Sequence, residues 1–188
     1  MVDPIIEDRF FVLTGGPGSG KTTLIEALES RGLLRSVEAG RAIIREQVAI
    51  GGDAVPWADR GAFAELMFKR EMRSYHWARE IKGGVIFDRG IPDVIGYLTL
   101  EKLPVPGYMD NAARQFRYYG NVFIAPPWPE IFGQDMERKQ TFEEARATHD
   151  VMVETYEAYG YSIVRLPLVS VEERVRFVLE HLTKEIFS

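Results

Sequence analysis

Short apolar runs alternate along the chain with longer stretches whose apolar positions recur every three or four residues, the pattern of parallel βαβ units. Arg9 to Thr14 (RFFVLT) predicts a strand that feeds a glycine-rich turn. Lys21 to Arg31 predicts a helix with Leu24, Ala27 and Leu28 on one face and Gly32 as its stop. Leu34 to Glu38 predicts a short second strand, and Arg41 to Ile50 a second helix. A long helical stretch follows from about Trp57 to Lys82, closed by Gly83 and Gly84, with Phe63 and Met67 spaced to face a core. Val85 to Phe87 predicts a buried strand that ends at Asp88, after which Pro92 opens another helix. A fourth strand is predicted over Asn121 to Ala125, halted by Pro126 and Pro127. Thr141 and Glu144 form a capping box for a helix ending near Gly160, Tyr161 to Leu166 predicts the fifth strand, and Ser170 with Glu173 caps the last helix. Five strands with intervening helices predict a three-layer α/β/α sandwich on a five-stranded parallel sheet; local pattern does not order the strands.

Residues 1–188 contain no repeat, low-complexity tract or linker, so one domain is expected. A net charge of −5 disfavours a nucleic-acid partner, whose phosphates would be repelled on average. The absence of cysteine removes disulfides, thiolate zinc sites and cysteine nucleophiles together. His76, His149 and His181 lie far apart, without metal-ligand spacing. The start, MVDPIIEDRFFVL, lacks the basic region of a signal peptide, and no apolar run approaches the roughly 20 residues that span a bilayer. The expectation is a cytoplasmic protein with no membrane association, with its state open between monomer and homodimer.

The chemistry is concentrated at Gly15-Gly16-Pro17-Gly18-Ser19-Gly20-Lys21-Thr22-Thr23. This segment satisfies G-x-x-x-x-G-K-[ST], and it has the strand before it and helix after it that the motif requires. Glycines bring consecutive backbone N–H groups close to phosphate oxygens, and the helix start aims partial positive charge at the same anion. Lys21 would neutralise the β- and γ-phosphates of a nucleoside triphosphate, ATP or GTP, while the Thr22 hydroxyl would ligate Mg²⁺. Residue frequencies alone give the pattern in about one chain in a hundred of this size.

Ligands of such folds lie beyond the carboxyl ends of the strands. Asp88 is at one such end and suits either Mg²⁺ or the proton of an attacking hydroxyl. A turn or helix-capping aspartate is the alternative. Glu38 ends the second predicted strand and would face a phosphate acceptor, with Arg41 paired to it or to an anion. Arg89 would orient substrate or form a structural ion pair. The charge-dense loop Gln134 to Gln140, part of a lid at about 133–141, carries Arg138 and Lys139, suited to close over a γ-phosphoryl group. Arg114 and Arg117, expected on a helix ending at Gly120, read more simply as surface residues. Trp128, in Pro126-Pro127-Trp128-Pro129, would lie against the nucleotide or cap the core.

GGPGSGKTT, EAGR at 38–41, IFDRGIPD at 86–93, APPWPEI at 125–131 and QDMERKQTFEEA at 134–145 follow one another here as in a family of small P-loop proteins labelled AAA-domain or predicted ATPase, which the chain resembles over nearly its whole length. That family is similar to the ribosylnicotinamide kinase domain of the bacterial NAD-salvage regulator and, more loosely, to nucleoside and nucleotide kinases. The resemblance implies the kinase-type five-stranded sheet, a lid at QDMERKQ, and Glu38 or Asp88 as acceptor-side base, with Glu38 resembling the nucleoside-kinase base.

Two function classes follow. One is a kinase that transfers phosphate from ATP·Mg²⁺ to a nucleoside- or nucleotide-like hydroxyl; Lys21, Glu38, Asp88 and Arg138 would be its catalytic set. The other is a nucleotide-dependent regulatory module without a small-molecule acceptor. No N-K-x-D or T-K-x-D guanine-reading segment is present, and Arg89 stands where a ring-forming ATPase motor has a second carboxylate. An end kinase of nucleic acids is disfavoured by the acidity.

Overall fold

The computed structural model describes residues 4–132 and 141–186. In chain order its elements are β1 (Ile5–Ile6), β2 (Phe10–Gly15), α1 (Lys21–Glu29), β3 (Leu34–Arg35), α2 (Ala39–Ile50), α3 (Arg60–Glu80), β4 (Val85–Asp88) and α4 (Ile91–Leu100). They continue with α5 (Gly107–Gln115), β5 (Phe116–Arg117), β6 (Asn121–Ala125), α6 (Pro129–Phe132), α7 (Phe142–Ala158), β7 (Ser162–Arg165) and α8 (Val171–Ile186).

The main sheet has the order β3-β4-β2-β6-β7, and all its pairs are parallel. β2 is central because it is apolar on both faces. Phe10 and Val12 point into one cluster with Tyr75 of α3, Ile91 and Ile95 of α4, and Tyr156 of α7. Phe11 and Leu13 point into the other, with Leu24, Ile25 and Leu28 of α1 and Val175 and Val178 of α8. A strand buried on both sides reads as a continuous apolar run, as FFVL does. Each such side chain, fully buried, contributes about 1.5–3 kcal/mol. The register sets Leu13 beside Asp88 on β4 and Gly15 beside Ala125 on β6. Chain reversal on either side of β2 leaves the crevice beyond its carboxyl end, where such sheets bind ligands.

Several boundaries differ from the sequence expectation. β3 is only two residues long, so Glu38 is not a strand end; it is the N-cap of α2, which starts at Ala39 rather than Arg41. α3 starts at Arg60 because the Asp59 side chain accepts a hydrogen bond from the Ala62 N–H at 2.8 Å, leaving Trp57 in the preceding turn. Arg117 is not helical. α5 stops at Gln115, and Phe116–Arg117 pair with Ile5–Ile6 in a separate two-stranded parallel sheet. Tyr75 pins that sheet, its hydroxyl donating to the Arg117 carbonyl at 2.8 Å. Both capping boxes form, at Thr141/Glu144 and Ser170/Glu173. Among the described residues no helix is long and apolar enough to cross a membrane.

Candidate active site

β2 runs directly into the glycine loop, and two of its glycines are fixed by close backbone approach. A Cβ on Gly15, where φ is 128°, would lie 2.4 Å from the Ala125 carbonyl oxygen, and one on Gly16 would lie 2.3 Å from that of Ala145. Gly18 and Gly20 take φ of 76° and 79°, the left-handed region that side chains disfavour. The buried Ser19 hydroxyl closes the loop by donating to the Gly16 carbonyl at 2.8 Å. Gly20 is the N-cap of α1 and offers no side-chain cap, and the first turn has no acid. The helix therefore begins with N–H groups suited to an anion.

The Lys21 ammonium is turned onto this loop, donating to the Gly15 and Gly16 carbonyls at 3.0 and 2.7 Å. Burial, helped by the charge of Arg89, lowers its pKa to about 7 against the upward pull of Asp88, Glu38 and Asp93. Thr22 and Thr23 are exposed on the first turn of α1.

Asp88 closes β4 and is 7% exposed. Its Oδ1 is buried and has no hydrogen-bond partner among the described residues. Burial raises its pKa, opposed first by Lys21. A buried acceptor left without a donor is costly, on the order of 1–3 kcal/mol, and such an atom at a strand end is suited to a ligand. Magnesium takes hard oxygen donors and is commonly held by one or two protein oxygens together with substrate phosphates. The Asp88 carboxylate and the Thr22 hydroxyl fit that requirement.

Arg89 has φ of 75°, unusual for a residue with a side chain. Its Nη1 donates to Asp93 Oδ1 at 3.1 Å, so the ion-pair alternative of the sequence reading is realised. Asp93 is a hub that sequence reasoning missed. It accepts from Thr14 Oγ1, from the Gly90 N–H at 2.9 Å and from the Tyr156 hydroxyl at 2.7 Å. The signal was an acid in the first turn of the helix opened by Pro92. Glu38 pairs with Arg41 at 3.3 Å and is half-buried at the rim, close enough for its charge to act on Lys21, Asp88 and Arg89.

Glu71 was also missed, because it lies in the apolar stripe of α3. It is 4% exposed, and burial with the charges of Asp93 and Asp88 holds its carboxyl well above the ordinary 4.5. A group whose pKa is raised by folding stabilises the fold below its unfolded value and loses that contribution as pH rises through the folded one. Glu71→Gln removes this loss. Relative to the variant, the wild type should lose up to about 1.4 kcal/mol per pH unit above 4.5, read from melting curves across pH. Parallel curves would show that Glu71 is not held neutral.

Beside the loop is a groove of about 320 Å³ lined by Gly18, Gly20, Thr23, Trp128, Val169 and Arg174. Trp128 thus faces the groove, and the Arg174 guanidinium stacks 4.5 Å from its ring centroid.

The sequence pattern of the AAA domain matches residues 10–174, from the first core strand to Arg174. The chain belongs to the AAA-domain family. No curated protein matches the sequence. Solved structures similar to this AAA-domain protein include thymidylate kinase from Ehrlichia chaffeensis, with TM-score 0.64, 18% identity and coverage of 95% of this chain and 100% of that one. Deoxyadenosine kinase from M. mycoides has TM-score 0.60 at 14% identity, with 93% and 98% covered. Shikimate kinase from Acinetobacter baumannii has TM-score 0.57 at 15% identity, with 96% of each chain covered. At these identities the likeness is one of fold, that of the P-loop kinases.

Of the sequence-predicted residues, Lys21, Glu38, Asp88 and Arg89 gather at one end of the sheet, with Thr22 on α1 and Arg41 at the rim. Arg138, Lys139 and the lid lie outside the described residues, apart from Thr141 at the start of α7. Arg114 and Arg117 are engaged elsewhere, the first with Asp110 at 3.0 Å and the second stacked 3.9 Å from the Tyr161 ring centroid. His76 and His181 pack edge-on against Phe116 and Phe123.

Proposed function

We propose that the protein is an ATP-dependent phosphotransferase that phosphorylates the hydroxyl of a small nucleoside- or nucleotide-like acceptor. The observation that supports this most is the buried Asp88 carboxylate oxygen beside Lys21 at the carboxyl end of the sheet, which has no hydrogen-bond partner among the described residues.

In this reading the glycine loop and the start of α1 hold the triphosphate through backbone N–H groups, and the base lies in the groove against Trp128. Phosphate replaces the loop carbonyls as the partner of Lys21. Asp88 and Thr22 would hold Mg²⁺, which supplies charge neutralisation on the β- and γ-oxygens when bound. The two carboxylates divide the work by environment. Asp88 is buried toward Lys21 and the phosphates, whereas Glu38 is half-exposed beside Arg41, on the side where an acceptor can enter.

Glu38 accepts the hydroxyl proton as the acceptor oxygen bonds to the γ-phosphorus. The bond from that phosphorus to the β,γ-bridging oxygen breaks, and ADP leaves with its electron pair. Arg89, fixed by Asp93, adds positive charge near the transferring group. Lys21 becomes fully charged against the phosphates as they bind.

The test is ADP release from ATP and Mg²⁺ with and without a panel of nucleosides, nucleotides and vitamins. At least one acceptor is expected to stimulate release. Tight ATP binding with no stimulation by any acceptor would instead favour a regulatory nucleotide-binding module.

A further inference from the structure

Arg174, in the first turn of α8, is 2% exposed, an unusual burial for an arginine. It touches all three segments that border the groove. Its Nε donates to the Pro167 carbonyl after β7 at 2.8 Å, and its Nη1 to the Ser19 carbonyl in the glycine loop at 2.8 Å. Its guanidinium plane lies 4.5 Å from the Trp128 ring after β6. Nη2 is buried without a partner among the described residues. A Cβ on Gly20 would come 3.3 Å from Nη1, so the loop is drawn onto the guanidinium. Holding an arginine this deep for packing alone is costly, since a methionine would fill similar space without desolvating a charge.

The bond to Ser19 has a directional consequence. The Ser19 carbonyl and the Gly20 N–H belong to one planar trans peptide, so they point in opposite directions. A cation that draws the carbonyl to one side turns the N–H to the other and polarises it. We propose that Arg174 is a positioning residue of the phosphate cradle: by holding the Ser19 carbonyl it aims the Gly20 N–H at the triphosphate, and by stacking on Trp128 it couples the cradle to the base groove. This rests on the nucleotide-binding part of the proposed function and not on the identity of the acceptor.

The experiment compares ATP with inorganic tripolyphosphate, which has the phosphates without the base, on wild type, Arg174→Met and Arg174→Lys. Binding is followed by calorimetry at a temperature where each variant is folded by circular dichroism. Arg174→Met is expected to weaken both ligands by about tenfold or more, ATP at least as much as tripolyphosphate, because the phosphate end is lost to both and the stack on Trp128 goes with it. Arg174→Lys keeps the charge but cannot donate to Pro167 and Ser19 in one plane while stacking, so it should rescue only partly. A loss confined to ATP would overturn the proposal and leave Arg174 a base-site residue. Unchanged affinity for both ligands, with only a lower melting temperature, would overturn it in favour of packing. If wild type binds ATP and tripolyphosphate but transfers no phosphate to any acceptor, the kinase reading fails while this proposal is still judged by the variants. If wild type binds neither ligand, both fail.

Discussion

Lys21→Met should lower turnover by on the order of 10³-fold and remove most triphosphate affinity, because it deletes a lysine turned onto the glycine loop. The protein should still fold, since Lys21 is a desolvated cation whose present partners are carbonyls of its own loop. The same residue gives a pH signature. Without nucleotide its pKa is about 7; bound phosphates raise it, so above that pH binding must take up a proton. ATP affinity relative to the variant is therefore constant below pH 7 and falls by up to tenfold per unit above it, until the bound-state value is reached. Calorimetry across pH in buffers of different ionisation enthalpy measures both the affinity and the proton. Equal affinities and rates for wild type and Lys21→Met would remove the phosphate-cradle assignment altogether.

Glu38→Gln should lower turnover by about 10²–10⁴-fold while leaving ATP affinity nearly unchanged. The amide keeps the shape and the hydrogen-bonding reach of the carboxylate but cannot accept the acceptor's proton. Arg41 loses an ion pair at 3.3 Å, but its own side chain is 60% exposed and is solvated without it, so little stability goes with the pair. Steady-state kinetics at saturating ATP and acceptor read the effect as a loss in kcat, with little change in the KM for ATP. Equal rates for wild type and variant would move the base to Asp88. Asp88→Asn is the companion measurement, and the two roles separate in it. A metal-holding Asp88 shifts the Mg²⁺ concentration needed for activity, whereas a proton-accepting one does not. Burial raises the pKa of the ligand-free Asp88 carboxyl above the ordinary 3.8, so a cation binding there competes with a proton already above that pH.

The features most legible in the sequence are those that depend on neighbours along the chain. The run FFVL, apolar at every position, marks a strand covered on both faces, and the glycine spacing from Gly15 to Gly20 marks the loop that follows it. Capping boxes at Thr141 and Ser170 locate two helix starts to the residue. What escaped depends on distant partners. β5 has only two residues and exists because Ile5–Ile6 arrive beside it under the Tyr75 hydroxyl, more than a hundred positions away in the chain. Asp93 and Glu71 carry only weak local marks. One sits in an ordinary first helical turn and the other interrupts an apolar stripe, and only the folding of α3 and α4 against β4 sets both near Arg89. The sequence pattern sets Glu38 at a strand end, whereas the structure makes it the N-cap of α2. Two strand residues, Leu34 and Arg35, complete the edge pairing with Val85 and Ile86, and the chain then turns into α2. Arg174 carries no mark in the sequence, because its partners Ser19, Trp128 and Pro167 come from three separate loops.

The measurement closest to the central claim is phosphorus NMR of the protein with ATP, Mg²⁺ and the acceptor that stimulates ADP release. A new phosphomonoester resonance should grow in step with ADP, with no comparable growth of inorganic phosphate. Inorganic phosphate alone, appearing at the rate of ADP whatever hydroxyl compound is present, would contradict it.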